Sequence, residues 1–180
     1  KIPGKHNVEN YLAAITAVWG DVPHEMICQV AKNFGGVPHR AELVRVLDGV
    51  SYYNDSIGTS PTRTANGTLQ LYDRKIILIA GGYDKHIPYD TLGPIIMDKV
   101  KTLILMGATA DKIEAAVKAN YREQEIVILH ADSMEKAVAL AKEYAHKGDV
   151  VSLSPASASF DLYPNFEARG NHFKNIVNAL

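Results

Sequence analysis

Apolar and polar positions along this chain keep two different periods, and the change of period divides it. From Val8 the apolar residues Val8, Tyr11, Leu12, Ile15, Val18 and Trp19 recur at helical spacing. Gly20 stands where a helix usually ends. Asp21 then reads as an N-cap, with Pro23 in the first turn of a second helix. That helix turns Ile27, Val30, Ala31 and Phe34 to one side and stops at Gly35-Gly36. Lys1 to Asn7, with Pro3-Gly4, reads as a polar turn before it all. Two helices with no sheet are too small to hold a core unaided. Val37-Pro38-His39-Arg40 reads as an extended connector, because Pro38 disfavours helix at Val37. A boundary is expected there, with residues 1–36 on one side and 37–180 on the other, and Gly35 to Pro38 as a hinge.

Beyond the connector the period shortens. Glu42 to Leu47 and Val50 to Asn54 are strand-like runs joined by Asp48-Gly49, a strong hairpin signal. Strands and helices then alternate. The strands are Lys75 to Ala80, Leu103 to Met106, Ile126 to Leu129 and Val150 to Leu153. The helices are Thr64 to Tyr72, Tyr89 to Val100 with Asp90 as cap, Lys112 to Asn120, Ser133 to His146 with Asp132 as cap, and Asn165 to Leu180. Short apolar runs between helices predict an α/β fold with a mostly parallel sheet, an N-terminal β-hairpin and helices on both faces. Ligands in such sheets lie outside the carboxyl ends of the strands. The loops to examine are therefore residues 55–63, 81–89, 107–111, 130–133 and 154–164.

Composition removes several function classes. Nineteen basic residues against twenty acidic ones, with no Lys/Arg run, argue against nucleic acid as partner. No apolar run approaches the roughly 20 residues that span a bilayer, and the N-terminus has no apolar signal segment, so a cytoplasmic protein is expected. The single cysteine, Cys28, excludes a disulfide framework and reads as a small core residue. The seven histidines are dispersed without HxxxH or HExxH, so no metal site is expected. There is no GxSxG, GxGxxG or GxxxxGK[ST]. The chain opens on Lys1 rather than Met, which reads as a piece of something longer.

Candidate chemistry gathers after three strands. Val150 to Leu153 empties into Ser154-Pro155-Ala156-Ser157-Ala158-Ser159, and a helix follows. Free N–H groups and hydroxyls at such a junction bind carboxylates and phosphates, although a helix cap on a turn has the same composition. Asn54 to Arg63 carries a carboxylate, hydroxyls and a guanidinium: Asp55 can accept from ribose hydroxyls and Thr59 can donate to a carboxylate, or the stretch is a polar turn. Gly81-Gly82-Tyr83-Asp84-Lys85 lets backbone approach a ligand and ends on a compact cation, or Lys85 is a solvated loop lysine. The residues by themselves support an α/β domain that binds small anionic ligands.

In combination these stretches resemble the Mur ligases, and within them the branch that adds D-glutamate. The resemblance runs through His6-Asn7-x-x-Asn10, Pro38-His39-Arg40, Asn54-Asp55-Ser56-x-x-Thr59 and Gly81-Gly82-x-Asp84-Lys85. It continues through Leu153-Ser154-Pro155-Ala156-x-Ala158-Ser159-x-Asp161 and Asn165-Phe166-Glu167-x-Arg169-Gly170. It implies a Rossmann-like, doubly wound domain that delivers the amino acid, preceded by a two-helix remnant of the central ATP-binding domain. Asn10 would contact adenine, Arg40 the ATP phosphates and Asp55 the ribose, with Arg40 and Lys85 counted as catalytic. Thr59 and Lys85 would grip the α-carboxylate of D-glutamate, and Ser159 with the backbone at Phe166 its side-chain carboxylate. The P-loop and the Mg²⁺ ligands would belong to a portion this chain lacks. UDP-N-acetylmuramoyl-L-alanine would be held mostly there too, and a monomer is expected. One departure matters: Ile57 stands where the family often has lysine, and no role is carried there, although Arg63 is near enough in sequence to supply a charge. A stand-alone binding module, and a related Mur or folate-chain ligase with another substrate, remain alternatives at this point.

Overall fold

A computed structural model describes residues 5–121 and 126–180, with residues 5 and 6 described in backbone only. The expected turn at Pro3-Gly4 lies outside them. The chain divides into two compact units, Lys1–Val37 and Pro38–Leu180.

The first unit holds α1 (Lys5–Ala17) and α2 (His24–Asn33). The Tyr11 hydroxyl donates to the Ala31 carbonyl at 3.4 Å, and the Tyr11 and Phe34 rings meet edge to face at 6.3 Å. Two readings change here. Asp21 caps nothing: a turn from Val18 to Val22 comes first, and Pro23 occupies the capping position without a side-chain bond. Cys28 is exposed rather than core, and α2 has no buried residue, because so short a pair has too little chain to cover an apolar face.

The second unit opens with β1 (Glu42–Leu47) and β2 (Val50–Asn54), an antiparallel hairpin. Asp48 (φ 52) and Gly49 (φ 79) both lie in the left-handed region, the backbone a two-residue hairpin turn requires. α3 (Pro61–Asn66) follows, with Ser60 as N-cap accepting from Arg63 N–H, and then a 3-10 turn over Thr68–Leu71. The single helix expected from Thr64 to Tyr72 is thus broken at Gly67, where a Cβ would lie 2.6 Å from the Arg63 carbonyl oxygen. Next come β3 (Ile76–Ala80), α4 (Leu92–Lys99), β4 (Val100–Leu105) and α5 (Ala110–Lys118). β5 (Val127–His130), α6 (Met134–Tyr144), β6 (Val150–Leu153) and α7 (Phe166–Ala179) complete the order. α4 ends before Val100, which is fully buried and opens β4. Asp90 does not cap α4, and Ser133 rather than Asp132 caps α6, its hydroxyl accepting from Lys136 N–H at 3.2 Å.

The six strands lie in the order β1-β2-β6-β3-β4-β5, parallel except for the hairpin. Side chains of a strand point alternately to its two faces. Ile76, Leu78 and Ala80 of β3 pack with Leu103 and Leu105 under Leu92 and Ile96 of α4 and Ile113 and Val117 of α5. Ile77 and Ile79 pack with Ile104, Val151 and Leu153 against Val138 of α6 and Phe173 and Val177 of α7. All five β3 residues are buried, so both faces of the sheet are covered. This is the expected α/β, Rossmann-like, doubly wound sheet with an N-terminal hairpin.

Candidate functional site

β6 and β3 are neighbours, but the helices that follow them cover opposite faces: α4 follows β3 and α7 follows β6. Connections leaving in opposite directions open a crevice at the carboxyl ends of the two strands. β2 flanks it on one side and β4 on the other.

The loop after β3 is shaped by two glycines. Gly81 (φ 108) and Gly82 (φ 148) have backbone that side chains rarely allow. A Cβ would lie 2.0 Å from the Met106 carbonyl oxygen at Gly81, and 2.2 Å from that of Ala158 at Gly82. This close approach seats the loop on its neighbours. Gly81 N–H donates to the Pro155 carbonyl at 2.8 Å and Tyr83 N–H to that of Ala158 at 2.9 Å. The exposed Lys85 ammonium donates to the Thr59 carbonyl at 3.3 Å. Loops after β2, β3 and β6 are thereby joined, with Lys85 beside Thr59 and Tyr83 bridged to Ala158, one residue from Ser159. Asp84 is tied to Lys112 at 2.5 Å and accepts from His86 N–H at 2.8 Å, and these contacts hold its carboxyl below the usual range.

The turn after β6 places Ala156 in left-handed backbone (φ 56), fully buried. Ser159 is 2% exposed. Its carbonyl accepts from Leu162 and Tyr163 N–H, while its hydroxyl has no hydrogen bond to a described residue. Asn165 caps α7 by accepting from Ala168 N–H at 2.7 Å. Phe166 is the first residue of that helix, where N–H groups have no intrahelical acceptor. Its carbonyl accepts from the Ser56 hydroxyl at 2.8 Å.

Asp55 occupies another place than the sequence suggested. It is fully buried, and its Oδ1 accepts from Ala41 N–H and from Arg63, both at 3.1 Å. Its Oδ2 accepts from the Ser154 hydroxyl at 2.9 Å and from the Thr68 hydroxyl. Four donors fill its oxygens, so in this arrangement it ties loops together and offers no surface to a ribose. Arg63 is therefore the counter-ion of Asp55, not a replacement for a lysine at Ile57.

Arg40 is half-buried and makes no ion pair among the described residues, which leaves its guanidinium available. It sits between His39 (φ 64) and Ala41 (φ 46), held by their contacts rather than its own. His39 N–H donates to Glu42 at 2.9 Å, and the His39 ring lies 2.9 Å from the Asn54 amide nitrogen. Burial raises the Glu42 carboxyl, but Lys174 at 2.7 Å, with His39 N–H and Asn54, brings it below its ordinary value. Asn10 belongs to the first unit, exposed on α1, where its amide donates to Asn7 at 3.4 Å. The side chain of His6 lies outside the described residues.

Two contributors received no role from the sequence. Arg169 is 2% exposed, and burial brings its guanidinium down to about 10. It donates to the carbonyls of Ser56 (2.9 Å), Ser157 (3.1 Å) and Ala158 (3.0 Å) and to the Ser56 hydroxyl (3.0 Å). Its signal was its position on the α7 face of Phe166, Gly170 and Phe173, which is otherwise apolar. Thr109, buried after β4, bonds Gly82. Nothing in an Ala-Thr-Ala sequence announces that. Among the described residues, Asp111, Glu114 and His130 are grouped as a metal site would be, but Glu114 is already paired with Lys118 at 2.5 Å and His130 at 2.6 Å.

Residues 39–157 match the family model described as Mur ligase, glutamate ligase domain. The chain is 56% identical to the UDP-N-acetylmuramoylalanine–D-glutamate ligase of Clostridium acetobutylicum, covering 100% of this chain and 39% of that protein. It is 55% identical to the enzyme of the same name from Acetivibrio thermocellus, covering 99% and 39%. The chain thus spans about two-fifths of the length of the curated relatives it matches. Among solved structures, UDP-N-acetylmuramate–alanine ligase from Thermotoga maritima has the same architecture at a TM-score of 0.72 and 13% identity, covering 99% of this chain and 39% of that one. Folylpolyglutamate synthase from Mycobacterium tuberculosis follows it at 0.65 and 14%, covering 96% and 41%.

Proposed function

The chain belongs to the Mur ligase family, and from that membership we propose that it is the amino-acid-delivering portion of an ATP-dependent ligase joining D-glutamate to UDP-N-acetylmuramoyl-L-alanine. The observation that carries the reading is the junction of three strand-end loops: Lys85 on the Thr59 carbonyl at 3.3 Å, and Tyr83 on that of Ala158 at 2.9 Å.

In this reading Lys85 and the Thr59 hydroxyl hold the α-carboxylate of D-glutamate. The Ser159 hydroxyl, without a hydrogen bond among the described residues, and the N–H of Phe166 hold the side-chain carboxylate. Charged acceptors suit such donors. The amine is left unclaimed, free to attack. The substrate's terminal carboxylate is phosphorylated to an acyl phosphate, and the amine of D-glutamate attacks its carbonyl carbon. The nitrogen gives up a proton to solvent, the tetrahedral intermediate collapses, the carbon–oxygen bond to phosphate breaks, and phosphate leaves with the electron pair. This chain contributes position, which can supply much of the rate.

Residues 1–36 are read as the last helices of a central ATP-binding domain, and 37–180 as the amino-acid domain. Arg40, partly exposed and without an ion pair among the described residues, suits phosphate oxygens and developing negative charge. Asn10 is read as an adenine contact. Asp55 acts indirectly, by fixing Arg63, Ala41 and Ser154. ATP supplies the phosphoryl group, and Mg²⁺ is expected on ligands outside this chain. The protein is read as a cytoplasmic monomer without nucleic-acid or membrane partners. Nineteen basic against twenty acidic residues support the lack of a nucleic-acid partner. No described helix is long and apolar enough to cross a membrane.

The test is phosphate release by the full-length protein with ATP, Mg²⁺ and UDP-N-acetylmuramoyl-L-alanine. D-Glutamate is expected to stimulate it, L-glutamate not, and the 180-residue chain alone should give none. Stimulation by another amino acid instead, or turnover by the chain alone, would overturn the reading.

A further inference from the structure

Thr109 follows β4, in a loop given no ligand role above. It is fully buried. Its N–H donates to the Gly82 carbonyl at 3.0 Å, and Gly82 N–H donates to its hydroxyl oxygen at 3.1 Å. One residue therefore holds both polar groups of the glycine on which the Lys85 loop turns. Gly82 has no side chain to pack, so its unusual backbone must be fixed from outside.

The same hydroxyl lies 2.8 Å from that of Ser157, which lies 2.8 Å from that of Tyr89. Thr109, Ser157 and Tyr89 are 0%, 1% and 4% exposed. Hydroxyls chained in a buried interior polarise one another, and removing one leaves its neighbours short of a partner. Ser157 stands two positions before Ser159, and Gly82 three before Lys85. Thr109 thus grips the roots of both the Lys85 loop and the Ser159 turn. We propose that Thr109 is a positioning residue that sets the spacing between the Lys85 loop and the Ser159 turn, and so the fit of the crevice to a dicarboxylic amino acid. The proposal rests on the reading that Lys85 and Ser159 hold that amino acid.

The test uses the full-length protein. Thr109→Val keeps the shape and removes the hydroxyl, while Thr109→Ser keeps the hydroxyl. The valine variant should raise the KM for D-glutamate about tenfold, leave the KM for ATP within about twofold, and speed Gly82 amide exchange about tenfold. The serine variant should restore all three. Ser157→Ala removes the middle hydroxyl and carries the same test should the valine variant not fold. An unchanged KM for D-glutamate in Thr109→Val would overturn the proposal. So would an equal rise in every KM together with a lower Tm, which marks ordinary core packing, or serine behaving like valine. A wild-type protein indifferent to D-glutamate would sink the ligase reading instead. Gly82 exchange would then still decide whether Thr109 holds the loop: unchanged exchange refutes it.

Discussion

At the scale of single residues, the polar groups nearest the crevice divide into those spent on the protein and those left over. Asp55 and Arg169 are spent: each is buried and saturated by several partners. Lys85 has one carbonyl partner, and Arg40 and the Ser159 hydroxyl have none among the described residues; donors with capacity to spare in a crevice are what an anion needs. The sequence showed the composition of this set but not the division, because Asp55 and Ser159 are both short polar residues in serine-rich loops. Only the neighbours they meet from distant segments decide which is consumed. Glu42 gives a pH test of the supporting network. Lys174, His39 N–H and Asn54 hold its carboxyl below the ordinary 4.5, against the opposing effect of burial. A lowered folded pKa contributes stability that is present above the unfolded value and lost as pH falls through the folded one. The Tm difference between wild type and Glu42→Gln should therefore be constant above the carboxylate range and shrink as the solution is acidified below 4.5. A difference that grows on acidification would contradict the network.

At the scale of elements, strands were easier to read than helix ends. Apolar runs such as Ile76 to Ala80 are buried on both faces and leave a continuous signal. Helix starts depend on which of several adjacent polar residues wins the cap, and Asp21, Asp90 and Asp132 all lost. Tertiary packing also overrode periodicity at Val100, drawn into β4 by its buried neighbours. The functional elements are the loops, and their shapes come from backbone rather than side chains. At Gly82 an added Cβ would lie 2.2 Å from the Ala158 carbonyl oxygen, so the two loops must part. Gly82→Ala should weaken D-glutamate binding about tenfold or more, as a KM effect measured in the full-length protein, because the Tyr83–Ala158 pairing beside it is lost. Gly148→Ala, at φ 95 but with only an arginine tip at 3.6 Å, is the control for backbone strain alone and should leave that KM unchanged.

At the scale of the whole molecule, a doubly wound sheet supplies one crevice, and the chain sends its hydroxyls, glycines and cation there. The order β2-β6-β3-β4 sets side by side four loops that lie up to about a hundred residues apart in sequence, and no local pattern could have given that adjacency. The family motifs gave it indirectly. Residues 39–157 carry the family match, while α7, beyond it, supplies Arg169 and the Phe166 helix start. The central claim is that these loops clasp one doubly negative guest, and a crystal structure of the full-length protein with D-glutamate tests it most directly. One carboxylate should lie within hydrogen-bond distance of the Lys85 ammonium and the Thr59 hydroxyl, the other within reach of the Ser159 hydroxyl and Phe166 N–H. D-Glutamate bound elsewhere, or touching Lys85 while Ser159 stays without a ligand, would contradict it.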